Sequence, residues 1–565
     1  MLGVVSPLSA VGQSMPGMPG MAPPDAGHDA VGPGQAHHHH EEDAASLEKL
    51  GEVHFPVSCA AKTQALFERG IALLHSFGYT KAEEQFEALA ASDPGCAMAH
   101  WGVAMSEFHE LWGRPDAAAM KTGAEEMAKA RKAAKKTPVT PREMAYIDAL
   151  SVFYKKAPKN FQSGADAYVA GMAKLHMAYP EDIEGAAFYA LALLADVAPN
   201  DTSLTKERAA LAVLVPLFHQ YPDHPGLAHY IIHTCDTPAL AAQGLEAAEV
   251  YAKIAPSSPH ALHMPGHIFA RLGMWPEDVA SNLASVAASE KAEAAGQPGV
   301  AHQLHADEFL IYAYLQMGQD ERARALTASI RPTGKHIDAL PGADDMKGMG
   351  GFFDNELNTI YLMEMHDWKA LAALQAAPGT QGTWVFDTVW GHGVAAGHLQ
   401  DAALAGSSLA EFDKMLDEMK KSSQAYRVES FQVMRNELEA WKDYAEGHAD
   451  EAVAAMRKAA DQQDKLGQGE VDIPADEMLG DLLMLLHKPQ DALAEYKVAL
   501  KLSPNRLNGL LGAGEAAEAV GDVAKAKGFY EQAARNTGNG AQSSRAAVAH
   551  AVQFDASHTT VAAAR

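Results

Sequence analysis

The chain has 565 residues, a length that suggests about four globular domains unless the sequence is built from repeats. Its hydrophobic fraction of 48% and charged fraction of 21% are typical of a chain that folds. Because 72 Asp and Glu outnumber 45 Lys and Arg, the net charge is −27, and we expect neither nucleic acid nor an anionic membrane as a partner. Apolar runs stay well below the roughly 18 residues of a membrane span, so no spanning helix is predicted.

Residues 1–45 form a segment rich in Met, His, Pro and Gly that is predicted to be disordered. Its start, MLGVVSPLSAVGQS, lacks a basic region and is a poor signal peptide as written. MPGMPGM supplies thioether sulfurs and the run from His37 to His40 supplies imidazoles, a combination that suits copper. A solvated tail that binds metal adventitiously explains the same residues. The segment favours a periplasmic or secreted location, with the cytoplasm as the alternative.

From about residue 46, Ala, Leu, Glu, Lys and Met dominate, and apolar residues recur at helical spacing. Proline and glycine interrupt this pattern at intervals too short for large α/β units. Few runs of β-branched residues alternate as a strand would require. The sequence therefore predicts an all-α body.

A period of 34 residues is clearest near the C-terminus. Gly480, Ala492, Tyr496 and Ala499 recur 34 positions later as Gly514, Ala526, Tyr530 and Ala533. The pattern resembles the tetratricopeptide repeat (TPR), a helix–turn–helix unit. In such a unit, small residues let helices A and B approach, an aromatic residue fills the gap between units, and a proline such as Pro504 ends helix B.

The same spacing identifies a unit over residues 63–96, and weaker units begin near 225, 259, 304, 353, 384 and 433. We expect about nine units in a right-handed α-solenoid whose A helices line a concave groove, with insertions around 110–165, 330–352 and 375–390. The predicted organisation is N-terminal TPR-like helices over 46–200, central His-rich units over 201–345, C-terminal units over 346–540 and a frayed tail over 541–565.

Two segments resemble a family of bacterial TPR proteins of unassigned activity. They are HSFGYTKAEEQFEALAASDPGCAMAHWGVAMS (75–106) and HALHMPGHIFARLGMW (260–275). The resemblance covers about residues 46–330 and continues as generic repeats. It implies the repeat fold and carries over no catalytic residue.

Histidines repeat with the same period in the central units. HYIIH places His229 and His233 four residues apart, and HMPGH places His263 and His267 in the same positions one period later. In units that begin at 225 and 259, these positions lie on the face of helix A that looks into the groove. We therefore expect the four imidazoles to meet.

Further polar residues share that face. Helix axes about 8–10 Å apart allow imidazoles of neighbouring helices to share an ion, so we expect one divalent ion per chain, zinc or copper. The predicted ligands are His229, His233, His260, His263, His267, His305 and Glu308. His302 is a spare ligand candidate, and His302 and Tyr312 are predicted to line the ligand groove.

Other functions explain the same histidines. They suit a polar groove that contacts a peptide, or bonds between the rings themselves. HYIIH lacks the Glu that HExxH metalloproteases use as general base, which leaves Glu308 or Asp236 as substitutes. The sequence favours a solenoid that binds a protein or peptide segment over an enzyme. A metal-dependent hydrolase with Glu308 as base and an extracytoplasmic copper-handling protein stay open as alternatives.

Three cysteines are too few for a disulfide scaffold. Cys59 and Cys96 are predicted near the N-terminal ends of neighbouring helices. There they either form a disulfide in an oxidising compartment or pack as two small residues. Cys235, two residues after His233, is predicted to be a buried core residue rather than a ligand.

Overall fold

The computed structural model describes residues 48–109, 111, 114–198, 201–297, 301–340, 348–422, 424–467, 469 and 471–562. Within these ranges every regular element is a helix. The α-helices are Gln64–His75, Tyr79–Ser92, Ala97–Phe108, Ala117–Ala134, Pro141–Lys156, Phe161–Ala178, Ile183–Ala195, Thr205–Gln220, Pro225–Cys235, Ala241–Ile254, Pro259–His263, Pro265–Arg271, Trp275–Ala294, Ala301–Gln316, Asp320–Asp338, Met349–Glu364, Trp368–Ala372, Phe386–Leu399, Ala402–Met419, Val428–Ala445, Ala449–Leu466, Ala475–Leu485, Pro489–Leu502, Leu507–Ala519, Val523–Asn536 and Ala546–Ala562. The predicted tail over 1–45, with MPGMPGM and His37 to His40, lies outside the described residues.

Consecutive helices pack as pairs, and each pair packs against the next along the chain. This arrangement confirms the predicted fold class, an all-α solenoid of the TPR type. Of the described helices, none combines the length and the apolarity needed to cross a bilayer.

The aromatic residue of each strong repeat fills the space that glycines leave. A Cβ added to Gly480 would lie 2.7 Å from the ring of Tyr496, and one added to Gly512 of the next unit would lie 2.4 Å from the same ring. Phe86 lies between Gly70 and Gly102 in the same way, with distances of 2.6 and 2.4 Å. The small residues therefore bring neighbouring units into contact across a buried ring, as the repeat pattern predicts.

Two expectations about the array were wrong. The segment around 110–165 is not an insertion, because its described helices continue the series of pairs, and the described helices form more pairs than the nine units expected. In the region 541–565, predicted to fray, the described part contains the helix Ala546–Ala562. Val548 and Ala551 of this helix are buried against Val523–Asn536, so its apolar face caps the solenoid.

The N-terminal residues of the described chain are tied down at two points. Cys59 and Cys96 form a disulfide whose Cα atoms are 4.8 Å apart, which joins the lead-in segment to the start of Ala97–Phe108. Glu52 N–H donates to the Asp223 carbonyl at 2.9 Å, so the lead-in segment also reaches the central units.

The solenoid winds far enough for its C-terminal units to contact its central units. Trp275 Nε1 donates to the Asn505 carbonyl at 3.0 Å, and the backbone N–H of Leu507 donates to Gln316 Oε1 at 2.8 Å. The Arg545 guanidinium pairs with Asp320 at 2.9 Å. These contacts hold the C-terminal units against the central units.

The hydrophobic interior divides close to the central histidines. The two large clusters of buried side chains run from Leu50 to Phe269 and from Ala270 to Phe554, and a smaller third cluster runs from Leu304 to Leu357. Phe77 of the first cluster packs on three histidines, which are His229, His233 and His260. Phe309 of the second cluster packs on three others, which are His263, His267 and His305. The histidines therefore lie at the junction between the two cores.

Candidate metal centre

The histidines lie on the first helix of three successive helix pairs, and the second of these first helices is broken into two short helices. Pro225–Cys235 holds His229 and His233 one turn apart. One period later, Pro265 has no N–H to continue the helix, and the chain forms two short helices, Pro259–His263 and Pro265–Arg271. Ala301–Gln316 follows with His305. The repeat period thus places one face of each helix toward the same interior space.

The first group, which we call trio 1, consists of His229, His233 and His260. One ring nitrogen of each lies within 4.8 Å of the others. The Nε2 atoms of His229 and His260 are 3.0 Å apart. His229 is fully buried, and its Nδ1 lies 2.5 Å from the carbonyl of His75, which can only accept. Nδ1 therefore carries the proton in the neutral ring, and Nε2 presents its lone pair to the trio.

The second group, trio 2, consists of His263, His267 and His305, again with one ring nitrogen each within 4.8 Å. The Nε2 atoms of His263 and His267 are 2.9 Å apart. The ring centroid of His305 is 4.5 Å from that of His263. The two trios adjoin, because the ring centroids of His260 and His263 are 6.2 Å apart.

Oxygen acceptors fix the tautomers of trio 2. Asn282 Nδ2 donates to Asp278 Oδ1 at 2.6 Å, which orients the amide so that Asn282 Oδ1 accepts from His263 Nδ1 at 2.6 Å. His267 Nδ1 donates to Asp236 Oδ2 at 3.0 Å, and Arg271 Nε donates to the other oxygen of that carboxylate at 2.9 Å. Both Nδ1 atoms are therefore protonated donors.

The consequence is that the contact at the centre of trio 2 requires a proton or a cation between the two Nε2 atoms. With neutral rings, the Nε2 atoms of His263 and His267 turn two lone pairs toward each other at 2.9 Å. A cation or a proton between them removes this repulsion. Metal-ligating histidines show the same arrangement, in which one ring nitrogen donates to a carboxylate or carbonyl and the other binds the ion.

Burial sets the protonation of the neighbouring groups. It lowers the pKa of His229 well below its usual value, and it lowers the pKa of His233 to about 3, with His267 adding to the effect. Although burial alone would raise it, Arg271 and His267 hold the pKa of Asp236 far below its ordinary range. His229 and His233 are thus neutral imidazoles at pH 7, the form that binds metal.

The remaining predicted residues have other positions. Glu308 is buried, and its Oε2 accepts from His305 Nδ1 at 2.7 Å, so it orients an imidazole and belongs to neither group of ring nitrogens. Tyr312 is buried and donates to the Asp472 carbonyl at 2.7 Å, so it does not line a ligand groove.

The side chain of His302 lies outside the described part of the chain. Cys235 is fully buried as predicted, and burial raises its thiol pKa to about 12.

Sequence reasoning missed a second buried network beside trio 1. Glu184 accepts from His75 Nε2 at 2.7 Å and from His224 Nε2 at 3.1 Å. The other nitrogens are also engaged, because His75 Nδ1 bonds the Tyr230 hydroxyl at 2.8 Å and His224 Nδ1 accepts from the N–H of Leu227 at 3.2 Å. Its members are too far apart in the chain for a spacing to reveal them. Since each ring nitrogen has a protein partner, we assign this network to support of trio 1 rather than to metal.

The fold and the site together define a helical-repeat protein with two adjoining clusters of buried histidines. No protein-family model matches the sequence, and no curated protein matches it. Similar solved structures include the human IFIT1 dimer with m7Gppp-AAAA, with 12% identity over 78% of this chain and 90% of that one and a TM-score of 0.35. The APC/C hetero-tetramer Cut9–Hcn1 is 12% identical over 80% of this chain and 76% of that one, with a TM-score of 0.33. Naa15/Naa10 bound to HypK-THB is 12% identical over 88% of this chain and 80% of that one, with a TM-score of 0.21. Similarities of this size carry no functional conclusion.

Proposed function

We propose that the protein is a metal-binding solenoid in which trio 1 and trio 2 each hold one divalent ion, zinc or copper. The observation that carries the proposal is the pair of Nε2 atoms of His263 and His267, 2.9 Å apart while both Nδ1 atoms donate to oxygen acceptors. Such a pair must either share a proton or bind a cation, and Nδ1 atoms that donate to oxygen are the arrangement found in metal-ligating histidines.

The donor set supports these two metals. Imidazole nitrogen suits zinc and copper, whereas calcium and magnesium prefer oxygen ligands. Three protein ligands leave a coordination position for water or for a further ligand, as in catalytic zinc sites. The sequence led us to expect one ion per chain, but the separation of the six rings into two groups favours two.

Metal stoichiometry tests this proposal. The parent protein has His37 to His40 replaced by Ala, which removes adventitious binding by the tail. After loading with zinc and dialysis, we expect two equivalents by elemental analysis. His305→Ala, which removes a ligand of trio 2, should retain one equivalent. His219→Ala, an exposed histidine outside the trios, should retain two. Absence of zinc from the parent, or two equivalents in His305→Ala, would contradict the proposal.

A metal-dependent hydrolase has weaker support. Glu308, the base that the sequence offers, accepts a hydrogen bond from His305, and Asp236 is paired with Arg271 and His267. Neither carboxylate is poised to take a proton from a substrate or water. Copper handling would involve MPGMPGM and His37 to His40, which lie outside the described residues.

Binding of a protein or peptide segment is the second candidate, and the repeat architecture favours it, because stacked helix pairs expose extended surfaces. Such a partner would have to avoid the region of Tyr312, which the C-terminal units cover. The zinc measurement separates the two candidates, since a groove that binds only a peptide needs no metal.

An oxidising, extracytoplasmic location is part of the proposal. The Cys59–Cys96 disulfide supports it, because structural disulfides are rare where thiols are kept reduced. Alkylation of protein from its native source, followed by mass spectrometry, should modify Cys235 alone after unfolding. Modification of all three cysteines would contradict this location.

A further inference from the structure

A second group of buried charged side chains lies beside trio 2, and no part of the proposed histidine site uses it. We call it the carboxylate cluster, and it consists of Glu308, Glu356, Asp387 and Asp472. Glu356 lies on Met349–Glu364 and Asp387 on Phe386–Leu399, the inner helices that follow Ala301–Gln316. Asp472 precedes Ala475–Leu485. The cluster thus continues the row of inner helices that carries the histidines.

Glu356 is a buried carboxylate that lacks hydrogen-bond donors among the described residues. Its exposed fraction is 0%, and no described residue donates a hydrogen bond to either carboxylate oxygen. Asp387 has an exposed fraction of 1%, and no described residue donates a hydrogen bond to its Oδ1. Native proteins satisfy the large majority of buried polar atoms, so three such oxygens in one place require an explanation.

A neighbouring carboxylate shows that burial alone does not produce this state. Glu437 on Val428–Ala445 is equally buried, yet its Oε2 accepts from Trp390 Nε1 at 2.8 Å. Glu477 is also buried, and Arg506 donates to both of its oxygens. The fold provides donors to these two carboxylates and provides none to Glu356.

The carboxylates also repel one another. Burial raises the pKa of Glu356 well above its ordinary value, and Glu308, Asp387 and Asp472 raise it further. Burial likewise raises the pKa of Asp387 to about 8, although the nearby Arg427 opposes the increase. Arg427 is one positive charge against four carboxylates. Without a cation, Glu356 and Asp387 therefore hold protons at neutral pH, and a bound cation would displace those protons and stabilise the ionised carboxylates.

We propose that the carboxylate cluster binds a hard divalent cation of the magnesium, calcium or manganese class, with Glu356 and Asp387 as its principal ligands. The donors are all oxygen, which these ions prefer over nitrogen. Among the described residues, the carboxylate oxygens do not converge within the 4.8 Å that joins each histidine trio, which suits ions that retain water in their coordination shell. Glu308 links this site to trio 2 through its hydrogen bond with His305.

Glu356→Gln provides the test, because it removes the charge, keeps the shape and breaks no hydrogen bond. Chelator-treated protein at pH 7.5 is titrated with Mg²⁺, Ca²⁺ and Mn²⁺ at constant ionic strength, and Tm and calorimetric binding are measured. The wild type should bind one equivalent of at least one of these ions and gain Tm. Glu356→Gln should have a higher Tm than the wild type without metal, and should bind the ion at least about tenfold more weakly.

Two controls separate this site from the histidine site. Asp307→Asn removes another buried carboxyl, one turned toward Glu290 and outside the cluster, and should keep the full response. His233→Ala, which removes a proposed ligand of trio 1, should also keep the response, while Glu356→Gln should still bind two equivalents of zinc. The inference is overturned if none of the three ions raises the Tm of the wild type, or if Glu356→Gln binds them as the wild type does. Either result leaves the zinc stoichiometry of the trios to be judged separately.

Discussion

Hydrogen bonds at single Nδ1 atoms determine what trio 2 can bind. His263 presents its Nε2 lone pair to the interior because Asn282 accepts its Nδ1 proton, and the Asn282 amide is itself oriented by Asp278. Without that acceptor, His263 is free to protonate Nε2, which then cannot ligate. If trio 2 binds an ion as proposed, its affinity therefore depends on Asn282, which is not one of the proposed ligands.

Asn282→Leu tests this dependence with a side chain of similar size. We expect zinc affinity at trio 2 to fall by about 10–100-fold while trio 1 is unchanged. Competition with a chromophoric chelator measures both affinities, since the two sites then titrate in separate steps. Equal affinities in the variant and the wild type would show that Asn282 does not control the His263 tautomer.

Buried carboxyls give the protein a distinctive pH dependence. Burial is the main cause that raises the pKa of Glu437, to about 8 in the folded state, so the folded state holds this proton more tightly than the unfolded state does. The stability that this difference contributes is complete below the unfolded pKa, near 4.5, and is lost as pH rises to about 8. Wild-type stability should therefore decline across that range.

Glu437→Gln removes this titration and keeps an acceptor for Trp390 Nε1. Since one pKa unit corresponds to about 1.4 kcal/mol, we expect the variant to be more stable than the wild type by about 2–4 kcal/mol at pH 9. At pH 5 the difference should nearly vanish. Urea unfolding at the two pH values measures it, and a gap that does not depend on pH would contradict the assignment.

At the scale of elements, close packing within helix pairs determines stability. A Cβ at Gly514 would lie 2.3 Å from the ring of Tyr530, so Gly514→Ala should lower the free energy of unfolding by about 1–3 kcal/mol. Gly528 is also helical but has no atom within 4 Å of an added Cβ. Gly528→Ala should stabilise by about 0.5–1 kcal/mol through helix propensity. Urea denaturation compares them, and destabilisation by both substitutions would indicate a backbone effect instead.

The elements that sequence reasoning identified were those with a repeated chemical signature. Gly480 and Tyr496 mark a unit because their contact recurs at a fixed spacing, and the paired histidines were placed on inner helices for the same reason. Around 110–165 the corresponding contacts use other residues, such as Gly123 against Tyr154, and the period is lost. The last helix was missed because a capping helix has no following unit to match.

The spacing of residues along the sequence does not predict the distances between helices. The division into two trios depends on how three inner helices lie relative to one another. Side-chain packing determines that Glu308 accepts from His305 and that Glu356 is buried without a donor among the described residues. The Glu184 network joins residues more than a hundred positions apart. The sequence predicted the helix face on which the histidines lie. It did not predict their division into two groups or the oxygens that accept hydrogen bonds from their Nδ1 atoms.

At the scale of the whole molecule, the C-terminal units hold the solenoid closed over its central helices. Arg506 is central to this contact. Its guanidinium pairs with Glu364 at 2.7 Å and with Glu477 at 2.5 Å, and it also bonds the Tyr312 hydroxyl. All of these groups are buried, so the contact holds the units that carry Glu477 and Arg506 against the helices that carry Tyr312 and Glu364.

Arg506→Met should destabilise the protein by about 3–5 kcal/mol, because it leaves Glu364 and Glu477 buried without a counter-charge. Arg535→Met is the control, since Arg535 pairs with Glu531 on the surface and should change stability by less than about 0.5 kcal/mol. Chemical denaturation measures both. A similar effect of the two substitutions would show that the Arg506 contact does not hold the closed form together.

Crystals grown with zinc, measured at the zinc absorption edge, test the histidine centre most directly. Anomalous difference density should show two peaks. One peak should lie about 2.0–2.1 Å from nitrogens of His229, His233 and His260, and the other at the same distance from those of His263, His267 and His305. Density elsewhere only, with both trios empty, would contradict the assignment of a metal centre to this solenoid.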